Sequence, residues 1–130
     1  MSEEEQNIEL VKKGYDAFTA GDVEQLMSLF DDNIEWVQPG ESTISGTYHG
    51  KGEVGELLAR MAEKSPTVSA SRYVAEGDTV IAFGDVTLGG ETSQGVNVYT
   101  IRDGKTAHVR VFGDTAMLER HFGKKQMSTH

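Results

Sequence analysis

Through most of the first 65 residues, apolar side chains recur every three to four positions; after Pro66 they recur every second position. No other feature limits the fold as much. A period near 3.6 buries one stripe of a helix, and a period of two buries one face of a strand. Ile8, Val11, Tyr15 and Phe18 form the first stripe, which predicts a helix from about Glu3 to Ala20. Gly21 ends it, as glycine does at helix C-termini. Asp22, with Gln25 three residues on, makes a capping-box-like start to a second helix whose apolar face is Leu26, Leu29 and Phe30. "NIEWVQ" alternates Ile34, Trp36 and Gln38 against Glu35 and Val37, the pattern of a short strand. The glycine-rich stretch "GESTISGTYHGKG" reads as a loop. A third helix is predicted from about Lys51 to Lys64, with Val54, Leu57, Leu58 and Met61 inward and Pro66 as its stop.

The second half reads as four long strands. "TVSASRYVAE" and "TVIAFGDVTLG" join at Gly77–Asp78, and "GVNVYTI" and "TAHVRVF" join at Asp103–Gly104, a strong hairpin signal. "LGGETSQG" reads as the turn between these pairs, and Asp114 opens a short last helix. Helices gathered ahead of an antiparallel meander predict an α+β domain. One curved antiparallel sheet with three N-terminal helices on one face encloses a cone, with a cavity between helices and sheet.

Composition fits this picture. A chain of 130 residues is read as one domain over residues 1–130, with 37% hydrophobic and 25% charged residues, as in soluble globular proteins. No apolar run approaches the ~18 residues that would cross a membrane. The start "MSEEEQN" lacks the basic and apolar regions of a secretory signal, so a cytoplasmic location is expected. The absence of cysteine excludes disulfides, thiol nucleophiles and thiolate metal sites. A net charge of −9 argues against nucleic acid as a partner, since phosphate contacts need clustered Lys and Arg.

The segments "YDAFTAGDVEQLMSLFDDNIEW", "WVQPG", "GTYHGKGEV", "AEGDTV", "YTIRDGK" and "FGDTAML", spread from about residue 8 to 122, resemble a SnoaL-like member of the nuclear transport factor 2 and ketosteroid isomerase superfamily. The resemblance implies a cystatin-like α+β roll and a pocket that takes a small lipophilic molecule. It also implies a homodimer through the outer sheet face. In such proteins the short strand after the second helix and the inner faces of the long strands line the cone. The candidates carried over are Trp36 and Gln38, Phe83 and Asp85, Asn97 and Tyr99, and Val109 and Val111, with Phe18, Leu57 and Met61 as walls. Each strand pair is two residues apart and so shares a face.

The chemistry of these residues divides enzyme from binder. Ketosteroid isomerases carry a general-base aspartate before a proline at the end of the short strand. Gln38 stands there, and an amide cannot take a substrate proton near neutral pH. Their oxyanion-donating tyrosine on the first helix corresponds to Gly14, one step from Tyr15. Their third polar group corresponds to Asn97, which still donates hydrogen bonds. Asp85 is the one acid read as facing inward, beside Phe83. A carboxylate there is costly unless paired or used, so it is the candidate base, aided by Gln38, Asn97 or Tyr99, with Asn97 the second catalytic candidate. The competing reading is a bulge near Gly84 that turns Asp85 outward. Epoxide hydrolases of this fold place a second acid on the last strand, where Val109 and Val111 stand here. Asp114 reads as a helix N-cap. His108 and Arg110 read as outer-face residues, and Tyr48 and His49 as a loop able to close over the cone. The histidines lack metal-ligand spacing, so no metal and no cofactor are expected. Two functions remain: proton transfer on a polyketide- or steroid-like carbonyl compound, or ligand binding without catalysis.

Overall fold

The computed structural model describes residues 2–125. The first helix, α1, spans Glu3–Ala20. Ser2 caps it, with its hydroxyl accepting from the Glu5 backbone and the Glu5 side chain reaching back. Helix α2 spans Val23–Ser28 and is capped by Asp22 through Gln25 N. Strand β1 (Phe30–Gln38) follows, then β2 (Gly46–His49) and α3 (Gly50–Ala62). The four long strands are β3 (Thr67–Glu76), β4 (Thr79–Leu88), β5 (Glu91–Arg102) and β6 (Lys105–Phe112). Helix α4 (Thr115–Phe122) closes the order, with the Asp114 carboxylate accepting from Met117 N. No described helix is long and apolar enough to cross a membrane.

The strands form one six-stranded sheet in the order β2-β1-β6-β5-β4-β3. Its pairs are antiparallel except β1 with β6. That pair is parallel because α3 and the whole meander intervene, and parallel neighbours need such a crossover. Strand β2 was not foreseen. Four residues in a glycine-rich stretch carry too short a pattern to read, and their pairing with β1 is what makes them a strand.

Registration places Tyr48, Trp36, Val109, Tyr99, Val80 and Ala75 side by side across all six strands. This row faces the helices and carries much of the core. Val80 and Val109 are fully buried, as are Ile34, Val54 and Leu57. Each such side chain contributes about 1.5–3 kcal/mol by leaving water. The next inner row contains Val111, Asn97, Ala82 and Tyr73.

This register overturns two expectations. Asn97 pairs with Ala82, so Phe83 and Asp85 belong to the opposite, outer face of β4. Phe83 sits there between Val96 and Arg72, with the Arg72 guanidinium 5.6 Å above its ring. The reason lies in the β4–β5 connection. It is a two-residue turn, Gly89–Gly90 at φ 54° and 84°, the left-handed pair that a tight hairpin requires. The longer turn read from sequence left the relative parity of the two strands open, and a slip of one residue exchanges the faces.

Gly84 and Gly95 pair directly on these strands. A Cβ on Gly84 would lie 2.0 Å from the Ser69 carbonyl oxygen, and one on Gly95 would lie 2.9 Å from that of Phe112. Opposite Gly84 the register of β3 shifts between Ala70 and Arg72, which makes Ser71 the extra residue of a β-bulge. The backbones are thus pressed together where the sheet curves, and glycine is the residue that fits.

Candidate functional site

A cavity of about 140 Å³ opens between the helices and the inner sheet face. Its closed end is formed by buried Val11, Leu26, Leu29, Phe30 and Trp36. Its open end is formed by Gly84, Gly95, Gly113 and the exposed residues Ser69, Gln94, Phe112 and Asp114. An apolar cavity of similar size, about 150 Å³, stays dry and holds a benzene-sized molecule. Because this one opens to solvent, a longer ligand can extend through the mouth.

Of the residues expected to line the cone, Phe18, Trp36, Gln38, Met61, Asn97, Tyr99 and Val111 do so. Two do not. Phe83 lies on the outer face. Leu57 is sealed in the core at 0% exposure, and its neighbour Leu58 lines the cavity instead. Val109 is likewise fully buried in the core. Asp85 reaches only the rim, from an outer row in which it pairs with Ser69 and Gln94. Asp114 is also at the rim, where its carboxylate caps α4 at 3.0 Å from Met117 N. Tyr48 and His49 do not close the mouth. The Tyr48 hydroxyl donates to the Ile44 carbonyl at 2.7 Å. His49 and His108 flank Glu35, at 3.4 and 3.2 Å from its carboxylate.

Sequence reasoning missed the part Tyr15 plays. Gly14 does line the cavity, but Tyr15 lines it as well. Asn97 Nδ2 donates to the Tyr15 oxygen at 3.0 Å and to the Tyr99 oxygen at 3.4 Å, and the Tyr99 hydroxyl donates to Tyr15 at 3.1 Å. Edge-on ring contacts hold Tyr15 against both Tyr73 and Tyr99, each with centroids 6.4 Å apart. Among the described residues, one hydroxyl proton bridges the two phenols and the other, on Tyr15, has no protein acceptor. The Asn97 carbonyl oxygen is also unclaimed there. The trio therefore offers a ligand one donor and one acceptor.

Both phenols stay neutral at ordinary pH. Burial raises the Tyr99 pKa well above 10. Burial raises that of Tyr15 as well, partly offset by its bonds to Tyr99 and Asn97. Among the described residues, no Lys, Arg or His lines the cavity. An anionic ligand group would find no counter-charge inside, so the site suits neutral hydrogen-bonding groups.

A second polar feature stands at the closed end. Trp36 Nε1 donates to Gln38 Oε1 at 3.0 Å, and both residues are buried. The Trp36 ring is itself fixed edge-on against Phe30, with centroids 6.3 Å apart.

These features can be set beside known proteins. A profile of the SnoaL-like domain matches residues 11–109. Bal32a, from a soil-derived mobile gene cassette, is 27% identical with a TM-score of 0.86, over 93% of this chain and 99% of that one. A cystatin-like-fold protein from Xanthomonas campestris is 31% identical with a TM-score of 0.83, over 91% of this chain and 98% of that one. TerC, co-crystallized with polyporic acid, is 27% identical with a TM-score of 0.79, over 90% of this chain and 98% of that one. Comparison with curated proteins gave no match. With the profile covering most of its length and its fold shared by these structures, the chain belongs to the SnoaL-like domain family, within the nuclear transport factor 2-like superfamily.

Proposed function

We propose that this protein binds a small, flat, mostly apolar molecule carrying one or two neutral polar groups. The observation that carries the reading is the Tyr15–Asn97–Tyr99 trio set in an otherwise apolar, open-ended cavity. Apolar walls supply affinity, and a few convergent polar groups fix orientation. Polyporic acid, with which the relative TerC was co-crystallized, is a suitable first probe alongside aromatic ketones and quinones. A ligand that binds only the folded state raises Tm in a concentration-dependent way, by about 2.7 kcal/mol of stability at a hundredfold excess over Kd. Wild-type protein is expected to show such a rise and Tyr15→Phe a smaller one. A panel of such compounds that leaves the wild-type Tm flat overturns the reading.

A second reading is catalytic: proton transfer on a lipophilic carbonyl compound, with Asp85 as base. Its support is that Asp85 touches the rim of the cavity. It requires the reacting carbon to sit at the mouth, because the closed end holds no group able to take a proton. Turnover retained by Asp85→Asn would remove this reading and leave the first intact.

The outer sheet face fits a second copy of the chain. Ile81, Phe83, Val96 and Val98 lie together there, and Phe112 is 47% exposed. The mass in solution tests this: a dimer that Phe83→Glu converts to a monomer supports it, and a monomeric wild type refutes it.

A further inference from the structure

The amide of Gln38 sits on the inner face of β1, two residues from an indole on the same face. An indole nitrogen only donates hydrogen bonds, so the Gln38 atom 3.0 Å from Trp36 Nε1 has to be the carbonyl oxygen. Most side-chain amides can turn over and present either end. This one cannot turn over without placing its NH2 against the indole N–H and leaving two buried donors unpaired. The ring that holds it is fixed in turn by Phe30 and by its place between Tyr48 and Val109 in the sheet.

The other end of the amide is free. Among the described residues, Gln38 Nε2 has no protein partner, yet no sealed polar side-chain atom there lacks one. Nε2 therefore opens onto the cavity that Gln38 lines. Inward of the mouth, the other acceptors lining the cavity are the Asn97 amide oxygen, the Tyr15 and Tyr99 phenols and the Thr106 hydroxyl, and among the described residues none of them accepts from Nε2.

We infer that Trp36 locks Gln38 as a one-way hydrogen-bond donor, which makes Gln38 a specificity-determining residue: the ligand group that meets the Gln38 amide is an acceptor, such as a carbonyl oxygen, and not an N–H or O–H donor. This rests on the cavity being a ligand site and adds which chemistry it selects. A ligand donor in that place would meet two donor protons and leave all of them unsatisfied, the situation sites use to reject otherwise isosteric molecules.

Two measurements test it, one without any ligand. Trp36 is the only tryptophan, so the 1H–15N spectrum holds a single indole resonance. That proton is expected downfield and slow to exchange, and Gln38→Leu should move it upfield and speed its exchange. An indole signal unchanged by Gln38→Leu overturns the lock. The second measurement is the affinity of two probes of similar size, 1-indanone (acceptor only) and indole (donor only), by calorimetry. Wild type should prefer 1-indanone by about tenfold or more. In Trp36→Phe the amide is free to turn, and the ratio should fall toward one. In Gln38→Leu it should also fall, with indole no longer excluded. A merely structural role for Trp36 would weaken both probes together and keep the ratio. An unchanged ratio in Trp36→Phe, or a wild-type ratio near one, overturns the inference while leaving the cavity a ligand site. Failure of both probes and of the wider ligand panel to bind would instead refute the binding reading, and the selectivity with it.

Discussion

The two ends of the cavity are built differently. Inward of the mouth the amides and phenols are held by neighbours: Gln38 by the Trp36 indole, and Tyr15, Asn97 and Tyr99 by one another. At the open end stand two carboxylates. Asp114 is occupied as a helix cap, and Asp85 projects from the outer row of β4. Preorganised neutral groups are therefore inside and charge is at the rim. The difference argues that recognition happens at depth and that the rim serves solvation and entry, because polar groups fixed in advance lose little on binding a ligand.

The largest effect that would break this contrast comes from neither end alone but from the sheet that joins them. Gly84→Ala places a Cβ against the Ser69 carbonyl, and should destabilise the fold by about 3 kcal/mol or more. Chemical denaturation measures it, and a loss under 1 kcal/mol would mean that the strands can part there. Next comes the trio. Asn97→Leu removes the donor to both phenols and should cost about 1–2 kcal/mol of stability, together with a clear loss of ligand affinity.

Alkaline titration probes the same groups. The pKa values of Tyr15, Tyr73 and Tyr99 are raised by burial, so the unfolded chain loses phenol protons at lower pH than the folded one. Their stabilising contribution is then complete below about pH 10 and declines as pH rises beyond it toward the folded values. Tyr99→Phe should flatten that decline, as seen by urea unfolding at a series of pH values. The smallest effect belongs to the rim. Asp85→Asn should shift stability by less than about 0.5 kcal/mol and leave the affinity for neutral ligands unchanged. A large loss of affinity would transfer recognition to the mouth and reverse the comparison.

The sequence told these two ends apart only in part. Local signals carried the elements well: the stripe of α1, the cap at Asp22, the stop at Pro66 and the Asp103–Gly104 hairpin all come from residues within a few positions of one another. Relations between elements were harder. The faces of β4 depended on whether the turn before β5 held two residues or several, so Phe83 and Asp85 were read as inward. Tyr15 was passed over because its place was judged from the equivalent of Gly14. The rotation of α1 on the sheet, which lets both residues reach the cavity, does not follow from helix periodicity. Gln38 was legible as an amide where related enzymes have an acid. Its orientation required the indole's position as well.

The Gly84–Gly95 pair has a bearing on how such a site can drift. At the closed end a single substitution, such as leucine for Gln38, can rewrite what the protein recognises while the chain still folds. At the glycine pair any added side chain meets backbone before it can narrow the opening. Selection for a folded protein therefore keeps this part of the entrance clear without any selection for the ligand, so the door is inherited with the architecture and the lock is free to change.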